Sequence, residues 1–255
     1  MSSTAPSAPD GGWTRAVRQR LGLGRLLPLG TRADGCWLAE RAADAVLRRA
    51  GKDVAGVRLG ALRVGPADPD GVREPPAVPP PPGALPPGPL RIEAEFEASP
   101  REPIPYAADR LRSALFSAAE DRLGLTVTEV DLRVTGLLGE SPKAPRDVRE
   151  KPDPTDPPGR QRQRDDAPGN GGSPEAVAAR AATAVPGVAR LTSVLGSPVR
   201  HDTAVPGHHV LMEVAVTGEH PAREVALAVR AAVADALPEH PSVAVLVTDV
   251  TYEKS

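Results

Sequence analysis

Aromatic side chains are nearly missing from this sequence, at 2% of 255 residues. The apolar fraction comes mainly from Ala, Val and Leu, which bury little area per residue, so a core built from them is thin. Cys36 is the only cysteine. A disulfide within the chain is therefore excluded, and the sequence fits a reducing cytoplasm. No apolar run of about 18 residues occurs, which excludes an ordinary transmembrane helix. Residues 1–12 lack the apolar centre of a signal peptide. A formal net charge of -2 offers no basic surplus to nucleic-acid phosphates, so no nucleic-acid partner is expected.

The usual signatures of chemistry are absent as well. There is no GxGxxG, no GK[ST] and no GxSxG. Cys36 has no His or second Cys in its segment and reads as a structural cysteine at the start of a helix. All five histidines, His201, His208, His209, His220 and His240, fall in the second half. His201, Asp202 and His208 or His209 are the one conceivable metal set, giving a metal-dependent enzyme as the weakest of three readings. Their spacing matches no helical HxxxH and no zinc ribbon. Glu93 and Glu95 share the polar face of a strand, where charge serves solubility. No catalytic, cofactor-binding or metal-binding residue is assigned, no cofactor is expected, and the chain reads as a non-enzyme.

What the chain does contain is repetition. Val127-Thr128-Glu129-Val130-Asp131-Leu132 returns as Val247-Thr248-Asp249-Val250-Thr251-Tyr252, and each copy follows a Pro-initiated, Ala-rich amphipathic helix. Read backwards from there, both halves give helix, strand, strand, helix, strand. The expected fold is α+β: two repeated modules, each a three-stranded sheet with helices on one face, joined by a disordered linker. The expected boundaries are 1–30 for a flexible start and basic leader, 31–138 for the first module, 139–173 for the linker and 174–255 for the second module.

In the first module a helix is expected from Asp34 or Gly35 to about Arg49, with Gly51 as its αL terminator. Its counterpart opens on Ser173-Pro174-Glu175, an N-cap, a first-turn proline and an early acid. Val54-Ala55-Gly56-Val57 and Val185-Pro186-Gly187-Val188 then turn into strands, with the glycine placed where a Cβ has no room. Leu90 to Glu97 alternates apolar and charged residues without exception, as a strand with one wet side requires, and Val210, Met212, Val214 and Val216 repeat the pattern. Pro105 and Pro221 open the long helices. In the second of these, Val225, Val229 and Val233 mark the buried face and Arg230 the polar one. The alternation slips phase between Val127 and Val130 and between Val247 and Val250, which predicts a bulge at each site.

Residues 66–89, including Pro79 to Pro82, read as an extended polyproline-type loop without a core. Residues 139–173 are too poor in apolar side chains to offset their ordering entropy. Within that stretch Arg160 to Arg164 is a solvated charge run, offset by Asp165 and Asp166. Trp13 to Leu29 is a basic amphipathic stretch, in which Trp13, Ala16, Val17 and Leu21 share a helical face flanked by Arg15, Arg18 and Arg20. It is expected to pack on the first module as a helix broken at Gly22-Leu23-Gly24.

With its Ala-rich helix, V-x-G-V-type turn, two strands, amphipathic helix and V-T-x-V closing strand, each module resembles the alkaline shock protein or envelope stress response family of Gram-positive bacteria. The second half carries the better match, over Ala178 to Leu191, Val210 to Val216 and Ala222 to Val250. High-GC bacterial proteins of this look are sometimes labelled as the nucleopolyhedrovirus p-ten family, whose baculovirus-like coiled coil has no counterpart in this chain. The resemblance implies a non-enzymatic cytoplasmic scaffold or interaction protein, lying at the inner face of the cell membrane through a membrane-anchored protein partner, or binding copies of itself as a homo-oligomer. The rival expectation is a direct peripheral membrane-surface binder acting through residues 13–29.

Overall fold

The structure, a computed structural model, describes residues 22–71, 74–139, 172–202, 208–238 and 240–252. The expected flexible start, the leader as far as Leu21, residues 140–171 of the expected linker and the Arg160 to Arg164 cluster lie outside the described residues. The described chain is a mixed α+β fold with two sheets. In order its elements are β1 (Leu26–Pro28), β2 (Cys36–Ala39), α1 (Glu40–Lys52), β3 (Val57–Pro66), β4 (Leu90–Ala98), α2 (Ile104–Ser117), β5 (Val127–Leu137), α3 (Pro174–Thr183), β6 (Val188–Leu191), β7 (Val199–Asp202), β8 (His209–Thr217), α4 (Ala222–Ala236) and β9 (Ser242–Thr251). One sheet is β3-β4-β5. The other has six strands, ordered β1-β2-β9-β8-β6 with β7 also on β8.

Local chemistry explains most of these elements. The Ser173 hydroxyl caps α3 by accepting from the Ala176 amide at 3.2 Å. Pro103 and Pro221 stand at the N-caps of α2 and α4. Helix α4 buries Val225, Val229 and Val233, and α2 buries Leu111 and Leu115, along the faces that their spacing predicts. Gly56 and Gly187 turn the chain at φ 74 and 88. A Cβ on Gly187 would come within 2.7 Å of the Val225 side chain. Helix α2 continues as a π-helical turn, Ala118–Leu123, stopped by Gly124 at φ 73.

The two sheets share a pairing pattern. Strand β4 runs antiparallel to β3 and parallel to β5 across the α2 crossover. Strand β8 runs antiparallel to β6 and β7 and parallel to β9 across α4. Bulges interrupt the register at Thr128 and at Thr248, where the phase slips predict them. A second bulge in β5 falls at Thr135, whose hydroxyl donates to the Phe96 carbonyl at 3.3 Å; the Thr248 hydroxyl donates to the Val214 carbonyl at 3.2 Å. Measured through the strand pairing from the Gly56 and Gly187 turns, Phe96 opposite Val134 matches Val214 opposite Val247, so Val134-Thr135 and not Val127-Thr128 occupies the place of Val247-Thr248. The hexapeptide correspondence read from sequence is out of register for that reason. Where β3 slips between Leu59 and Leu62, the other sheet opens a loop between β6 and β7.

Several expectations fail, and for one reason. Cys36-Trp37-Leu38-Ala39 does not begin a helix: it is a buried strand, paired in parallel with Val245, Leu246 and Val247 of β9, and the helix starts only at Glu40. Gly51 lies inside α1, and the left-handed turn comes at Gly56. The end of the leader forms β1, an antiparallel partner of β2, with Leu23, Leu26, Leu27 and Leu29 buried. The second sheet consequently has six strands and not three. The halves are also tied by side chains, since Arg223 Nη2 meets Asp34 Oδ2 at 2.8 Å and Arg230 Nη1 donates to the Ala33 carbonyl at 2.8 Å. Burial opposes ionisation of Asp34, but the Thr31 amide and Arg223 outweigh it and hold its carboxyl below the usual range. Long-range pairing has overridden local pattern.

Strand β8 has no wet side: His209 to Val216 are all buried. Trp37, Leu246 and Glu213 form one cross-strand row on the outer face of the six-stranded sheet. Two loops cover that row. The proline-rich loop docks, with Val78 buried and the Leu85 carbonyl accepting from Trp37 Nε1 at 3.3 Å, so it does carry part of the core. The β6–β7 loop covers Glu213, whose carboxylate accepts from the Leu195 amide at 3.1 Å.

Burial pushes the Glu213 carboxyl above its ordinary 4.5, more than the Leu195 and Val194 amides draw it down. A folded pKa above the unfolded one gives stability that is complete below the unfolded value and is lost as pH rises through the folded value. Glu213→Gln keeps an acceptor and removes the ionisation. The melting temperature of the variant should therefore gain on that of the natural protein as pH rises from about 4 to 7. Parallel melting curves across that range would refute the assignment.

Candidate functional site

The described residues considered for chemistry are spread over β2, β4, β7 and β8. His201 and Asp202 sit on β7, in register with Val210 and His209 of β8. His209 Nδ1 lies 2.9 Å from the Ser242 hydroxyl, and no group of three metal-ligating side chains occurs among the described residues. Cys36 is buried on β2, and burial pushes its thiol up to about 12, so it is held as an unreactive thiol. Glu93 is paired with Arg91 at 2.8 Å on the outer face of the three-stranded sheet. Arg91 also faces Glu129 at 3.8 Å and Asp131 at 3.6 Å. This face is a solvated lattice of compensating charges.

The sheet edges distinguish the two halves. On β9, the Val243 carbonyl accepts from Arg230 Nε at 3.2 Å and the Val245 amide donates to the Gly35 carbonyl at 3.0 Å. Strand β2 then pairs along Val245 to Val247. Arg230 thus holds both the edge of β9 and the loop that enters β2. The same bond occurs on β5, where Arg112 Nε donates to the Val130 carbonyl at 3.4 Å. The register therefore sets Val130, Leu132 and Val134 in the places of Val243, Val245 and Val247, with their amides and carbonyls directed away from β4.

Among the described residues β5 pairs only with β4, and nothing lies where β2 lies on β9. The consequence is visible in exposure. Val134 is 39% and Leu137 57% exposed, against 0% for Val247 and 8% for Val250. Beside this edge Arg112, Phe116 and Val130 line a groove of about 440 Å³. Farther along α2, Tyr106 is 68% exposed. The other edges are protected. On β3, Arg48 donates to the Gly60 carbonyl at 2.9 Å and Glu40 accepts from the Val64 amide at 3.4 Å, while β1, β6 and β7 are only 3, 4 and 4 residues long. An eleven-residue strand with an open edge and exposed apolar residues is a template for strand addition.

Sequence reasoning assigned no role to Val134, Leu137, Phe116 or Arg112. One signal was present: Arg112 and Arg230 follow Pro103 and Pro221 at the same distance along two like helices. The chain matches no family model, no curated protein and no solved structure.

Proposed function

We propose that the protein is a non-enzymatic interaction scaffold made of two copies of one α-β-β-α-β module, the second closed by its own chain and the first open to a partner. The observation that carries this reading is the β5 edge, bare among the described residues where the corresponding β9 edge is covered. Duplication is supported by the paired features already described: the glycine turns, the proline caps, the threonine bulges, and Arg112 beside Arg230. A role beside envelope stress response proteins, with a membrane-anchored partner, rests on the sequence resemblance alone. No helix among the described residues is long and apolar enough to cross a membrane.

A residue carrying a photo-crosslinker at Leu137 should capture a protein partner in the host, while the same group at Thr183 on the far helix should not. Equal capture at both positions would sink the edge as a binding surface. The rival, lipid binding through residues 13–29, has lost half its apolar material to the core, since Leu23, Leu26, Leu27 and Leu29 are buried. The chain starting at Gly22 keeps β1, whereas a start near Thr31 would delete it. Anionic vesicles should sediment neither the full chain nor that truncation. Salt-sensitive sedimentation of the full chain alone would favour the rival.

A further inference from the structure

We infer that the β5 edge pairs with the β5 edge of a second copy of this chain, antiparallel about a twofold axis at Leu132, joining two three-stranded sheets into one of six strands. This deepens the scaffold reading and rests on it, by naming the partner as the chain itself. The outward groups belong to Val130, Leu132 and Val134, as the β9 edge shows for Val243 and Val245. Self-pairing must therefore match even-numbered positions to even-numbered ones, which leaves few registers.

Charge selects among them. A dyad at Asp131 sets Asp131 against itself, and a dyad at Arg133 sets Arg133 against itself; like charges directly opposite are destabilising. The dyad at Leu132 sets Asp131 opposite Arg133 twice, on the outer face. On the helix face it sets Leu132 against Leu132, Val130 against Val134, and Val127 against Leu137, covering the two most exposed apolar residues of the strand. Arg112 is no obstacle. Its counterpart Arg230 holds the Val243 carbonyl two residues before β2 begins to pair at Val245, and the Val130 carbonyl has a second lone pair for a partner strand. The interface is isologous, so it closes at two copies.

The test is the mass of the full chain in solution by sedimentation equilibrium. The natural protein should run as a dimer. Arg133→Asp and Asp131→Arg each convert both cross-strand charge pairs from attraction to repulsion and should weaken the dimer about ten-fold or more. The double variant Asp131→Arg/Arg133→Asp restores opposite charges and should dimerise like the natural protein. Both positions lie on the wet face, and unchanged thermal melts would show that the fold is intact. A monomeric natural protein at high micromolar concentration overturns the inference, as does a dimer that ignores the single changes or is not rescued by the double one. Crosslinking from Leu137 to a different protein survives either failure, so the scaffold reading and the self-pairing stand or fall separately.

Discussion

A fragment beginning at Gly172 should fail to fold as the second half does in the full chain. Sequence pattern suggests the opposite, because residues 173–255 hold a complete, capped set of elements with few contacts expected across the linker. In the structure Val245, Leu246 and Val247 are fully buried, and β2 from the first half lies along them. Removing residues 1–171 strips that edge, uncovers Leu246 once Trp37 is gone, and leaves Arg223 and Arg230 without Asp34 and Ala33. The loss of Trp37 alone should cost about 3–5 kcal/mol, since it is large and 1% exposed. That is a large part of the roughly 5–15 kcal/mol that stabilises a domain. The ten-residue β9 would then present a long apolar edge, which invites aggregation. Circular dichroism melts and light scattering should show a cooperative transition for the full chain and none for the fragment. Trp37→Ala in the full chain should give a graded version of the same defect. A fragment melting like the full chain would show that β2 is dispensable.

What was legible in the sequence is what local rules govern. The Ser173 cap, the two glycine turns, the alternation of Leu90 to Glu97 and the faces of α2 and α4 all depend on neighbours within a few residues, and all are in the structure. Strand β2 was not legible, because a four-residue apolar run abutting a helix has no period of its own, and its partner lies some 200 positions away. The wet side expected for β8 vanished because Glu213 and its row are covered by two loops whose sequences carry no periodic signal. The pairing pattern common to the two sheets was visible in the sequence but misregistered: β5 contains two Val-Thr pairs, at Val127-Thr128 and Val134-Thr135, and only the pairing partners decide between them. The edge of β5, open among the described residues, had no sequence signature, since an edge is defined by the absence of a neighbouring strand.

Val229→Asp should abolish the cooperative melt, while Arg230→Ala should lower its midpoint without abolishing it. Val229 is fully buried at the centre of the apolar face of α4, among Val225, Ala226 and Val233. A carboxylate there has no cation or donor, and burying it costs several kcal/mol, close to the whole margin of stability. Spacing alone puts Arg230 on a solvated face and predicts that it can be exchanged freely. Its guanidinium instead bonds the Val243 and Ala33 carbonyls, tying the β9 edge to the loop that leads into β2. Losing both bonds should cost about 1–3 kcal/mol, and at roughly 2–4 °C per kcal/mol the midpoint should fall by several degrees. Arg112→Ala is the internal control. That side chain makes the same strand contact at Val130 but meets no docked segment, its other partner being the exposed Asp109. Its removal should shift the midpoint less than Arg230→Ala in the monomer. Equal shifts for the two arginine variants would mean that Arg230 does not join the halves, and the contrast between a closed β9 edge and an open β5 edge would lose its energetic basis.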